Sequence, residues 1–90
     1  MRYIAKVDRN QREIVQALRD AGASVQLLHQ VGKGCPDALI GFRGENYLAE
    51  IKTENGELTA DELKFFLDWR GQRRIVRTVD DALKMIGAIE

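Results

Sequence analysis

The sequence predicts an α/β domain of element order αβββαβα, with a mixed sheet flanked by helices. Three observations predict it. Residues 36–52, PDALIGFRGENYLAEIK, hold two apolar runs on either side of a Gly- and Asn-containing turn, the pattern of a β-hairpin. Asn10 and Thr59 each stand three residues before a glutamate, Glu13 and Glu62, at the spacing of a capping box. A short apolar run at 73–78 then follows the second of these helices, so a helical crossover returns it parallel to a neighbouring strand.

In chain order, residues 3–7 are weakly apolar and either pair as a short edge strand or lead into the first helix. That helix is expected to start near Asn10, carry an apolar stripe of Ile14, Ala17, Leu18 and Ala21, and stop at Gly22. Glu13 sits at the edge of the stripe, where the helix dipole alone would also favour a carboxylate. Residues 23–30 read as a strand, with Val25 and Leu27 alternating against polar neighbours. A loop follows whose two glycines, Gly32 and Gly34, leave Lys33 free to meet a phosphate or simply solvent. His29 has no metal-ligand spacing around it and reads as structural or substrate-facing; Cys35 reads as a small side chain beside the turn.

The hairpin carries the chemistry. With a turn of two or four residues, pairing is expected to place Asp37 opposite Lys52, with Glu50 diagonal to Asp37 on the same face. Ala38, Ile40, Phe42, Tyr47, Ala49 and Ile51 then point the other way, into a core. Two neighbouring carboxylates keep their charge only beside a cation. Mg²⁺ meets that need with one or two carboxylates, waters and a substrate phosphate. Lys52 could orient or deprotonate an attacking water, or stabilise charge at phosphorus. An ordinary surface ion pair between Lys52 and either carboxylate is the plainer reading of the same residues.

The second helix, capped by Thr59 and stopped by Gly71, has two apolar stripes: Leu63, Phe66 and Leu67, and Phe65 with Trp69. A helix so apolar either sits centrally or meets another subunit, and a dimer contact through part of it is expected. Thr78 caps a last helix expected to run to Ile89, with Val79, Ala82, Leu83 and Ile86 inward. Arg70, Arg73, Arg74 and Arg77 form the one basic cluster of note; Arg73 and Arg74 are candidate backbone contacts to DNA, along with Lys33.

Composition sets the limits. Ninety residues, 44% hydrophobic and 31% charged, make one domain over 1–90. Fourteen basic and fourteen acidic residues give no net charge, so a surface for nucleic acid must be local. A single cysteine suits a reducing compartment, no apolar run approaches a membrane span, and the first residues lack a signal sequence; a cytoplasmic protein is expected.

Asp37, twelve intervening residues, then Glu50-Ile51-Lys52 on an αβββαβα frame resembles the PD-(D/E)XK nuclease superfamily and its restriction-endonuclease-like core. More closely the chain resembles the small VRR-NUC domains found as stand-alone phage proteins. The likeness includes Glu13, Gly34-Cys35-Pro36-Asp37, Leu58-Thr59 and Trp69-Arg70-Gly71. It implies an Mg²⁺- or Mn²⁺-dependent DNA endonuclease in the host cytoplasm, with Glu13, Asp37, Glu50 and the Ile51 carbonyl holding the metal and Lys52 assisting the water. Glu62 stands where many relatives carry Gln, so it either joins the site or only completes its capping box. Stand-alone members resemble homodimeric Holliday-junction resolvases, which implies a homodimer acting on four-way junctions. The alternatives are a flap, nick or duplex nuclease of the same chemistry, or a non-catalytic DNA-binding module on the same fold.

Overall fold

The computed structural model describes the backbone of residues 4–90 and the side chains of residues 10–90. Three helices and a four-stranded mixed sheet follow the order α1 (Ile4–Asp20), β1 (Ser24–Leu27), β2 (Ala38–Phe42), β3 (Glu45–Ile51), α2 (Ala60–Asp68), β4 (Arg73–Val76) and α3 (Val79–Met85). The expected αβββαβα frame is therefore present. Strand order in the sheet is β1-β2-β3-β4, with the first three antiparallel and β4 parallel to β3. Among the described residues no helix is long and apolar enough to cross a membrane.

Several boundaries differ from the sequence expectation. Residues 4–7 are the first turns of α1 rather than an edge strand, and residue 3 lies outside the described residues. Asn10 is consequently inside the helix, and its side chain serves another element. β1 stops at Leu27 because the chain turns at once: the Val31 N–H donates to the Leu28 carbonyl, and Cys35 to Gly32. α3 stops at Met85, since Gly87 takes φ 79° and closes a Schellman motif. Gly87 N–H donates to Lys84 and Ala88 N–H to Leu83. α1 ends in the same way at Gly22 (φ 100°), with Ala23 reaching back to Leu18. α2 ends at Asp68, with Trp69 already extended at its C-cap.

The hairpin register is the most consequential difference. The turn has two residues, Arg43 (φ 52°) and Gly44 (φ 83°), both left-handed as a type I′ turn requires. Glu45 and Asn46 belong to β3, where Gln72 donates to the Asn46 carbonyl at 2.6 Å. Ala38 therefore pairs with Ala49 and Phe42 with Glu45. One step further, Asp37 lies opposite Glu50, two residues away from the expected partner Lys52. A shift of two keeps every side chain on its face. The core assignments stand: Ala38, Ile40, Ala49 and Ile51 are buried, with Phe42 and Tyr47 packed at the margin.

That face of the sheet closes against α1 and α3. Ile14 and Leu18 from α1 join Ala82, Met85 and Ile86 from the last helix and its cap, with Val76 of β4 between them. Each fully buried aliphatic side chain contributes about 1.5–3 kcal/mol. The opposite face belongs to α2.

Candidate active site

The site forms where the hairpin's open end meets the first turn of α2. Asp37 and Glu50 face each other there, and Lys52 follows two residues on. One Asp37 oxygen accepts from the Ile51 N–H at 2.6 Å. This bond fixes the carboxylate beside Glu50 rather than leaving it to solvent. Glu50 is only 3% exposed, the one buried charged residue among the described residues. Burial pushes its carboxyl up to about 8, helped by the charge of Asp37, a hydrogen bond with it, and the charge of Glu62; Lys52 opposes the shift. At neutral pH Glu50 accordingly favours its protonated form.

Lys52 is held from α2. Its Nζ lies 2.8 Å from Glu62 Oε1 and 3.7 Å from Glu50 Oε2. Burial works against the ammonium, but the hydrogen bond to Glu62 and the charges of Glu62, Glu50 and Asp37 win, raising its pKa above the ordinary lysine value. Lys52 is thus held as an ammonium. Glu62 links the start of α2 to this lysine. It closes the capping box, accepting from Thr59 N–H at 2.9 Å while Thr59 Oγ1 accepts from its own N–H, and it pairs with Lys52. Burial disfavours the Glu62 carboxylate, yet the bonds from Lys52 and Thr59 outweigh it and lower its pKa.

A cavity of about 340 Å³ opens over these groups, lined by Asn10, Asp37, Glu50, Lys52, Gly56 and Glu62, with Ile51 and Thr53 completing the wall. Asn10 and Arg77 are site residues that sequence reasoning missed. Asn10 Nδ2 donates to the Lys52 carbonyl at 3.1 Å, tying α1 to the end of β3. One Arg77 Nη donates to the carbonyls of Thr53 (2.7 Å), Glu54 (3.3 Å) and Gly56 (2.7 Å), gathering the turn after β3. For Asn10 a signal existed, because its three-residue spacing from Glu13 puts the two on one helical face. For Arg77 there was none.

The other predicted residues are placed as follows. Glu13 is exposed one turn beyond Asn10 on α1 and is not among the residues lining the cavity. Arg73 is half-buried, donating from Nε to the Phe66 carbonyl at 2.7 Å and stacking over the Phe66 ring at 4.9 Å. Arg74 is exposed, as are Lys33 and His29. Burial, then the charges of Glu50 and Asp37, raise the Cys35 thiol pKa, keeping it protonated.

The donor set fits a hard divalent ion. Among the described residues no three His, Cys, Asp or Glu side chains gather as a metal cluster. Two carboxylates do converge, Asp37 and Glu50, the second buried and its pKa raised first by that burial and then by the charge of Asp37. Mg²⁺ asks for no more than one or two carboxylates when waters and phosphate complete its shell.

No protein-family model and no curated protein matches the chain. Among solved structures it is similar to a VRR_NUC domain, with a TM-score of 0.76 and 23% sequence identity, over 94% of this chain and 98% of that one. The α/β core with its mixed sheet, hairpin and flanking helices thus shares the fold of that domain, consistent with a restriction-endonuclease-like core.

Proposed function

We propose that the protein is an Mg²⁺- or Mn²⁺-dependent DNA endonuclease that acts on branched DNA, four-way junctions foremost, as a homodimer. The observation that carries this reading is the convergence of Asp37, buried Glu50 and charged Lys52 at one end of the hairpin. Asp37, Glu50 and the Ile51 carbonyl would hold the ion, with Glu13 the proposed further carboxylate from α1. When bound, the ion supplies charge neutralisation for a phosphodiester and acidifies water.

The chain's own residues do the rest. Glu50, protonated at neutral pH, would have to give up that proton to serve as a ligand. Asp37, held by the Ile51 N–H, lines the cavity beside it. Lys52, kept as an ammonium by Glu62, lies ready for a non-bridging phosphate oxygen and for charge building on it in flight. Asn10 holds the Lys52 carbonyl and Arg77 the carbonyls of the turn that follows it, so the backbone that carries the ammonium is fixed. Arg74 and Lys33 are proposed backbone contacts, exposed and able to take phosphates.

For the dimer, the proposed contact is Leu63 and Leu67, which lie one above the other on α2 and are 46% and 66% exposed. Two sites related by a two-fold axis suit paired cuts across a junction. Light scattering during size-exclusion chromatography at micromolar concentration tests it; a monomer removes the dimer.

The deciding experiment incubates the protein with a labelled four-way junction, a flap and a linear duplex in Mg²⁺, Mn²⁺ or EDTA, with Asp37→Ala beside it. Metal-dependent paired cuts confined to the junction are expected, and none from the variant. Cutting of flaps or duplex keeps the site and changes the substrate. A folded protein that cuts nothing under any condition is a binding module.

A further inference from the structure

On the flank of α2 away from Leu63 and Leu67 lies a second groove, of about 420 Å³, lined by Lys33, Asp61, Lys64, Phe65, Asp68 and Trp69. Its size falls within the roughly 300–1,000 Å³ of small-ligand sites. Phe65 and Trp69 stack in parallel there, with ring centroids 5.3 Å apart and planes 13° from one another. Trp69 is 44% exposed. The charges are two lysines and two aspartates, but Lys64 and Asp68 neutralise each other at 2.9 Å. Among the described residues Lys33 and Asp61 make no ion pair, which leaves one cation and one acceptor beside an aromatic wall.

The groove and the site are two flanks of one structure. Asp61 lines the groove and Glu62 lines the site, adjacent in the first turn of α2. Gly34, next to Lys33, packs so closely on that turn that a Cβ would sit 2.3 Å from the Asp61 carbonyl. A helix is about 10–12 Å across, a distance spanned by about three stacked nucleotides and by fewer splayed ones.

We infer that this groove takes an unpaired nucleobase from the DNA strand that passes the site, stacked against the Phe65–Trp69 pair. The inference rests on the reading of the protein as one that binds DNA. Aromatic faces accept any base, and flanking cations take the phosphate, which is how single strands are held without sequence preference. Lys33 meets the phosphate and Asp61 accepts from an exocyclic amine. A second copy of the chain is the weaker occupant. Leu63 and Leu67, on the far flank of α2, offer it aliphatic surface, whereas this wall is aromatic and rimmed by charge.

Trp69 is the only tryptophan in the chain, so its fluorescence reports on this groove alone. Titration in EDTA with a short single-stranded oligodeoxynucleotide, against an abasic strand of equal length and charge, separates base from backbone. Quenching by the base-bearing strand only is expected, together with a roughly 5- to 150-fold weaker affinity in Phe65→Leu, which keeps apolar bulk but removes the ring. Equal quenching by the abasic strand overturns the inference. So does an emission shift that follows protein concentration without DNA, which would seat a second copy in the groove. A junction that binds in a gel with no change at Trp69 overturns the groove alone. A protein that binds no DNA by either readout overturns the proposed function with it.

Discussion

The two faces of the sheet are built from alternate residues of the same strands, yet different forces hold what covers them. Ala38, Ile40, Ala49 and Ile51 point to a face sealed by α1 and α3 chiefly through apolar side chains. Glu50, Lys52 and Arg73 point to the other, where α2 is held by an ion pair, a guanidinium stacked on Phe66, and a carbonyl bond. α2 itself has no buried residue. Apolar burial is non-directional and tolerates any partner of the right volume, whereas charge-assisted bonds work only at fixed geometry. One face therefore makes the fold stable, and the other trades stability for a poised arrangement of charge.

The largest stability effect should come from the apolar face. Ile40 is fully buried, and Ile40→Ala is expected to cost about 2–5 kcal/mol through lost transfer energy and a residual cavity. Urea denaturation measures it directly. A cost below about 1 kcal/mol would mean that the two faces are less different than their packing indicates.

Next comes Glu50→Gln, whose effect should have the opposite sign. The folded-state pKa of Glu50, about 8, lies above its ordinary 4.5, so the folded protein binds the extra proton between those values. Stability of the metal-free protein should accordingly be complete below about pH 4.5 and fall as pH rises through about 8, by on the order of a few kcal/mol. Glu50→Gln is expected to flatten this slope and to be the more stable protein at pH 8. Thermal melts in EDTA from pH 5 to 9 decide the matter. Added Mg²⁺ or Mn²⁺ should stabilise the parent more at pH 8.5 than at pH 6, because the ion displaces that proton.

These contrasts also explain how much could be read beforehand. The apolar alternation of the hairpin and the helical stripes made the sealed face legible, because burial follows periodicity. Asp37, Glu50 and Lys52 were legible as one constellation, because parity survives a register shift of two. The pairing itself was not: it depended on Arg43 accepting a left-handed backbone, for which its residue type gives no warning. Asn10 and Arg77 were obscure for a related reason. Each acts on backbone carbonyls forty-two and about twenty residues away, and carbonyls carry no sequence signature.

Arg77 sets the third comparison, between holding the site and holding the fold. Arg77→Ala is expected to lose about 1–3 kcal/mol, since three carbonyls would lose their donor. Arg77→Lys should recover part of it. Under the proposed function, junction cleavage should fall further than stability does, because the turn it gathers walls the Lys52 cavity. Cleavage that tracks the melting temperature across both variants would make Arg77 an ordinary structural residue.

The smallest stability effect is expected at Glu62, where the two roles can be separated. Glu62→Gln keeps an oxygen for the Thr59 N–H, because a capping box accepts either residue. It removes the charge that faces Lys52 at 2.8 Å. Stability should change by less than about 0.5 kcal/mol, a shift of a few degrees at most in a chain of this length. The Lys52 pKa should fall, and its ammonium, without its nearest counter-charge, should turn to the remaining anions and to incoming phosphate. Junction binding in EDTA is then expected to tighten, with a steeper salt dependence than the parent's. Should the variant instead melt many degrees lower with binding unchanged, the Lys52–Glu62 pair would outweigh the Arg73 contacts in holding α2 on the sheet. The charged face would then share the structural role assigned here to the apolar one.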